Sequence, residues 1–180
     1  FRDQANDPVV PLLGCAITDI EQAAGVLVVG SNLRKEVPLI AHRVRQGAVR
    51  RSAKVSFINP RSYDVRFPVT ANLTSNGLGM AQHLAAVLAA SLKAQGRALP
   101  SNVAAALEGV VPASQHEAVA ATLAAGGLRV ILLGALAQHH AAYSELRALA
   151  LALADATGAK LGYLPEGGNA VGAALAGVLP

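Results

Sequence analysis

Cysteine is nearly absent from this sequence: Cys15 stands alone. One thiol cannot close an internal disulfide. It cannot supply the four thiolates that an iron–sulfur cluster usually takes, and it leaves a structural zinc site short of ligands. Cys15 reads instead as a small packed residue. Tryptophan is missing and aromatic residues make up 3% of the chain, so the stacking platforms that grip single-stranded nucleic acid are scarce. Charged residues are only 14% and apolar ones 53%, which is too apolar for a disordered tail. Even so, no apolar run approaches the roughly 18–20 residues of a membrane helix. The longest, beginning Val130-Ile131-Leu132-Leu133, is broken by Gly134. A basic–apolar–small leader pattern is also missing. Phe1 stands where an initiator Met would, and Pro180 follows an apolar stretch with no obvious cap. The expectation is a soluble, cytosolic domain over 1–180, cut from a longer protein and large enough to bury a core.

What charge there is clusters. Residues 34, 35, 43, 45, 50, 51, 54, 61 and 66 are Lys or Arg, opposed in that stretch by Glu36 and Asp64. The stretch carries +7 against +4 for the whole chain, so the remainder is slightly acidic. A basic stripe suits nucleic acid, but with so few aromatics the better reading is a solvated helix face or a surface that meets acidic partners.

Strand and helix patterns alternate along the chain. Val26-Leu27-Val28-Val29 is a continuous apolar run between Gly25 and Gly30, suited to a strand buried on both faces. Pro38 opens a helix to about Val49, and Lys54 to Asn59 forms a second strand that Pro60 ends. Together they make a parallel βαβ unit. Residues 64–74 are extended, with room for a third strand. Met80, Leu84, Val87, Leu88 and Leu92 form one helical stripe. A further helix runs from Pro100 to near Gly109. Ser114 and Glu117 match a capping box, and that helix stops at Gly126-Gly127. Arg129 to Leu136 reads as another strand, and Ser144 as the cap of a helix through Ala156. Gly158 ends that helix, Lys160 to Leu164 is a strand, and 170–179 is a short helix. A parallel sheet with helices on both faces follows.

Chemistry has few footholds. The loop Gly30-Ser31-Asn32 follows a buried strand and precedes a helix, which is where ligands of open α/β sheets sit and where free N–H groups favour an anion. Yet a G-x-G-x-x-G fingerprint is missing, no G-x-x-x-x-G-K-[ST] loop occurs, and position 59 is Asn rather than a ribose-binding Asp or Glu. Ser31, Asn32, Arg34 and Arg61 would either clamp a pyrophosphate or pair with Glu36 and a neighbouring domain. No histidines stand in an H-E-x-x-H pair, and adjacent His139 and His140 diverge on either a helix or a strand. No catalytic residue and no metal ligand is assigned.

Two segments carry a resemblance. The first runs Ile17-Thr-Asp-Ile-Glu21, Gly25-Val-Leu-Val-Val-Gly-Ser-Asn-Leu-Arg34, Glu36-Val-Pro38 and Arg43-Val-Arg45, closing on Phe57-Ile-Asn-Pro-Arg61. The second runs from Leu132-Leu-Gly134 through His139-His140 to Leu161-Gly-Tyr-Leu-Pro-Glu-Gly-Gly-Asn-Ala-Val-Gly172. Both resemble the molybdopterin-oxidoreductase-like region of the large iron–sulfur subunit of bacterial NADH:quinone oxidoreductase (respiratory complex I). The first segment also suits formate dehydrogenase or nitrate reductase relatives; the Pro-Glu-Gly-Gly-Asn-Ala-Val-Gly tail of the second tilts the resemblance to complex I. It implies a three-layer α/β/α fold with a mainly parallel sheet, as in formate dehydrogenase and DMSO reductase-type domains. It also implies a scaffold without its own redox centre or cofactor, the iron–sulfur clusters belonging to the N-terminal part of the subunit. Gly30, Ser31, Asn32 and Arg61 would then be remnants of a pterin guanine dinucleotide site, with Asn59 where the family typically has Asp. Expected partners are that cluster-bearing part and other subunits of the complex, without nucleic acid or membrane insertion. The expected place is cytoplasmic, peripheral to the inner membrane. The alternative is a working molybdopterin guanine dinucleotide-binding domain of a formate dehydrogenase-like oxidoreductase.

Overall fold

The computed structural model describes residues 10–76 and 79–178. Five strands form one sheet: β1 (Gly25–Val29), β2 (Lys54–Asn59), β3 (Ala71–Thr74), β4 (Arg129–Leu133) and β5 (Lys160–Tyr163). Their order is β3-β2-β1-β4-β5, and every pairing is parallel. β1 is central: Val26 lies beside Val55 on one side and Val130 on the other. All five of its residues are buried, as its unbroken apolar run requires for a strand covered on both faces.

Successive residues of these strands feed two cores. Leu27, Val29, Ile58, Ile131 and Leu133 point to one face, where they meet α3 (Gly79–Gln95), α4 (Ala104–Leu107), α5 (Ser114–Ala124) and α7 (Tyr143–Thr157). Val26, Val28, Val55, Phe57, Val130 and Leu132 point to the other, against the 3-10 turn Ile17–Gln22, α1 (Leu33–Glu36) and α2 (Pro38–Arg50). The period-two alternation of a strand thus builds the expected α/β/α layers. The stripe Met80, Leu84, Val87, Leu88 and Leu92 of α3 is buried throughout, as are Leu146, Leu149, Ala150 and Leu153 of α7. Burial of each Leu contributes about 1.5–3 kcal/mol. At the sheet edge, Leu12 accepts a backbone hydrogen bond from Tyr163 (2.9 Å), so the segment before the first turn covers part of β5.

Several boundaries differ from the sequence reading. Ser114 is the first residue of α5 rather than its cap, and the Ala113 N–H is satisfied by the ring of His116 (3.0 Å), not by Glu117. Ser144 lies inside α7, which starts one residue earlier. The helix from Pro100 is a 3-10 turn (Ser101–Val103) followed by the single turn α4. The strand expected to reach Leu136 stops at Leu133, and Ala135–Gln138 forms a separate turn, α6. Gly158 closes α7 in the left-handed region, φ +69°, where glycine carries no Cβ penalty. The short terminal helix α8 spans Ala170–Leu175. Residues 1–9, 77, 78, 179 and 180, including Gly77 before α3, lie outside the described residues.

Candidate functional site

In a sheet of this order, the ligand crevice opens at the carboxyl ends of β1 and β4, where the chain's connections diverge to opposite sides. Here that point is filled by the protein itself. Gly30 leaves β1 with φ +65°; its N–H donates to Ile58 O (2.8 Å) and its carbonyl accepts from Leu136 N (2.9 Å). A Cβ on Gly30 would overlap the Ala137 backbone, and one on Gly134 would overlap Ser31. The two glycines let the loops after β1 and β4 close on each other. The amide of Gln138 then ties α6 down by donating to Leu133 O (3.1 Å) and Leu164 O (3.0 Å).

The loop donors that would meet a phosphate are engaged. Ser31 N–H donates to Asn59 Oδ1 (2.8 Å), and Asn59 Nδ2 donates back to Ser31 O (3.1 Å). Both side chains are buried, at 1% exposure each. Ser31 Oγ donates to Glu36 Oε2 (2.7 Å), and Asn32 N–H donates to Glu36 Oε1 (2.9 Å). Glu36 therefore places a carboxylate against the donors at the start of α1, supplying the negative charge that a helix start attracts. Of the two alternatives left open by the sequence for Ser31 and Asn32, pairing with Glu36 is the one adopted. Arg34 turns to the loop after β2, donating to Asp64 O (2.8 Å) and facing its carboxylate at 3.5 Å. Arg61 is exposed, with its guanidinium 5.1 Å from the centroid of the Tyr63 ring. So the structure brings Gly30, Ser31, Asn32 and Asn59 together but directs both arginines elsewhere. A carboxylate thus stands among the donors that a pyrophosphate would otherwise meet.

No metal centre is assembled among the described residues. Cys15 is half-buried; burial, and then the Asp19 carboxylate, push its thiol pKa up and disfavour the reactive thiolate. Among the described residues no group of three or more His, Cys, Asp or Glu is arranged to hold a metal ion, and no helix is long and apolar enough to cross a membrane. His139 and His140 each bond locally, to Ala135 O (3.0 Å) and from Ala142 N (3.0 Å).

One contact had no signal in the sequence. His83 Nδ1 and His116 Nε2, 33 residues apart, lie 2.9 Å from each other. Because His116 Nδ1 accepts from Ala113 N–H, its proton sits on Nε2 and is donated to His83. That leaves the His83 Nε2–H toward Thr74 O at 3.4 Å. The proton order follows from the network. Burial, and then His83, hold the His116 pKa below the ordinary histidine value.

The family model described as molybdopterin oxidoreductase matches residues 5–177. No curated protein matches the chain.

Proposed function

Because the chain belongs to the molybdopterin oxidoreductase family, we propose that it is a scaffold domain of the large iron–sulfur subunit of an NADH:quinone oxidoreductase. In this reading it has no redox centre or cofactor of its own. It holds the N-terminal cluster-bearing part of the subunit, and neighbouring subunits, in place while electrons pass elsewhere. The whole stands as one domain of a longer chain, on the cytoplasmic side and peripheral to the inner membrane. The observation that carries the reading is the Glu36 carboxylate bound by Ser31 Oγ and Asn32 N–H, with Ser31 N–H held by Asn59. A dinucleotide site needs those donors free, and a fixed carboxylate among them repels phosphate. The segment Leu161 to Gly172, with its Pro-Glu-Gly-Gly-Asn-Ala-Val-Gly tail, supports complex I over other members of the family.

The second reading, a molybdopterin guanine dinucleotide-binding domain of a formate dehydrogenase-like oxidoreductase, is favoured by the position of Gly30-Ser31-Asn32 at the switch point of the sheet. A thermal-shift titration with GDP and GTP separates the two. Ligand at about 100 times Kd adds roughly 2.7 kcal/mol to stability. The scaffold reading expects no shift up to millimolar nucleotide. A saturable shift that disappears in Asn32→Ala would overturn it.

A further inference from the structure

Away from the loop after β1, His83 and His116 meet where two helices begin. His83 is the fifth residue of α3 and His116 the third of α5. Both are half-buried, with ring centroids 5.2 Å apart and planes tilted by 35°. Each ring nitrogen has one task. His116 Nδ1 accepts from Ala113 N–H (3.0 Å), and His116 Nε2–H donates to His83 Nδ1 (2.9 Å). His83 Nε2–H is directed to Thr74 O (3.4 Å). Two nitrogens donate and two accept, which uses the full capacity of the pair.

A further proton therefore costs a bond wherever it lands. On His116 Nδ1 it meets the Ala113 N–H, donor against donor, and the start of α5 loses its cap. On His83 Nδ1 it meets His116 Nε2–H, and the two helices lose their link. The helix end adds to the cost, because His116 lies in the first turn of α5 and a helix start carries partial positive charge. The surroundings do not offset it. α3 carries Lys93, and α5 carries Glu117. α7, packed on α3, carries Tyr143, Glu145, Arg147 and Asp155, while β1, β3 and α4 carry no titratable group. Burial first, and then His83, disfavour charge on His116, and none of the other groups contributes. Glu117 lines a cavity with Ser91 and Lys93 further along the two helices.

We propose that the His83–His116 contact is a proton-operated latch: it pins the start of α5 to α3, and an added proton releases that start while the sheet stays folded. The latch stands beside an edge of the sheet. Ser114, Gln115 and Ala118 of α5 face residues 69–72 over a cavity of about 460 Å³, and β3 is the edge strand there. The opposite edge, β5, is partly covered by the segment at Leu12. Release of the α5 start opens the cavity toward β3, the kind of edge with which another extended chain can pair. Val119, Ala120 and Leu123 are buried and keep the rest of α5 in place, which confines the change to its first turn. None of the residues of the nucleotide loop takes part, so the latch and the scaffold reading can fail separately.

The test is NMR on the 180-residue chain. Nitrogen–proton correlation spectra of the histidine rings read the tautomers, and the expected form of His116 at about pH 7.5 carries its proton on Nε2. Amide exchange is then compared at about pH 7.5 and about pH 5, corrected for the chemical rate at each. Protection of Ala113, His116 and Glu117 should fall about fivefold or more at the lower pH, against less than about twofold for Val26 to Val29. His116→Gln supplies an amide oxygen that can accept from Ala113 N–H and does not titrate, so its protection should change by less than about twofold at these positions. A His116 proton on Nδ1 overturns the proposal. So does unchanged protection in the wild type, an equal loss across β1, or the same loss in His116→Gln. The wild-type titration decides the matter even if that variant does not fold.

Discussion

Replacing Asn59 tests whether the loop after β1 is held by protein rather than kept open for a ligand. The amide makes two bonds to one residue, accepting from Ser31 N–H and donating to Ser31 O, at 2.8 and 3.1 Å. In Asn59→Ala both backbone groups lose their partner in a buried setting. Each orphaned group costs about 1–3 kcal/mol, and some rehydration brings the expected total to about 2–4 kcal/mol. For a domain of this size that lowers Tm by roughly 5–15 °C. Asn59→Asp is the more discriminating change, because it installs the residue the family resemblance leads one to expect. Its carboxylate keeps the bond from Ser31 N–H but turns a second oxygen toward Ser31 O, where a donor is needed. Burial and that carbonyl raise the carboxyl pKa in the folded state above the unfolded value of about 3.9. The stabilising contribution of the protonated form is therefore complete below the unfolded value and is lost as pH rises through the folded one. Urea denaturation of wild type and variant at pH 5 and pH 8 reads this directly: the deficit of Asn59→Asp relative to wild type is larger at pH 8. An Asn59→Ala protein within about 0.5 kcal/mol of wild type, or an Asp variant with a smaller deficit at pH 8 than at pH 5, refutes the clamp.

Other expectations follow from the same geometry. Gly30→Ala meets a left-handed dihedral that costs about 1–3 kcal/mol, and its methyl overlaps the Ala137 backbone; thermal melts should show one of the larger losses of any single change at this edge. The hydrogen bond from Arg43, foremost, holds the Glu21 carboxyl below the ordinary carboxylate range. That contribution is present above the unfolded pKa and vanishes as pH falls through the folded one. Glu21→Gln should thus be less stable than wild type at pH 7, and the difference should shrink as pH falls through the lowered folded value. His116 has a lowered pKa in the fold. Its contribution is complete above about pH 6.5 and declines as pH falls through the lower folded value, so His116→Gln should flatten the stability profile between pH 7 and pH 5 in chemical denaturation.

The sheet was legible because its signals are local. Val26 to Val29 and Val130 to Leu133 are apolar runs too short for helices, and the α3 stripe repeats at helical spacing. Boundaries failed where one apolar run serves two elements: Leu136 and Ala137 continue the β4 run, but Gly134 turns the chain into α6 first. The serine caps failed because Ser114 and Ser144 are the first and second residues of their helices rather than the residues before them, and at α5 a histidine ring does the satisfying. The location of the Gly30-Ser31-Asn32 loop at the carboxyl edge followed from the βαβ pattern. Its closure did not, because Asn59 is 28 residues from Ser31 and α6 more than a hundred. The His83–His116 contact joins two helices whose relative rotation no local pattern encodes.

The strand order also sets a timetable for synthesis. β1 gains its first neighbour, β2, within about 30 residues, but its other neighbour is β4, with Gly25 lying beside Arg129. A ribosome adding about 5–20 residues per second needs on the order of 4–14 s to cover the stretch between β2 and β4. Throughout that interval one hydrogen-bonding edge of an entirely apolar strand is open to any passing extended chain, the kind of edge that invites mispairing. The helices α3 and α5, translated in the meantime, shelter one face of that strand but donate nothing to its edge. The nascent chain is accordingly most in need of a chaperone before Arg129 emerges, and a ribosome stalled in this interval would carry a half-sheet that cannot complete itself.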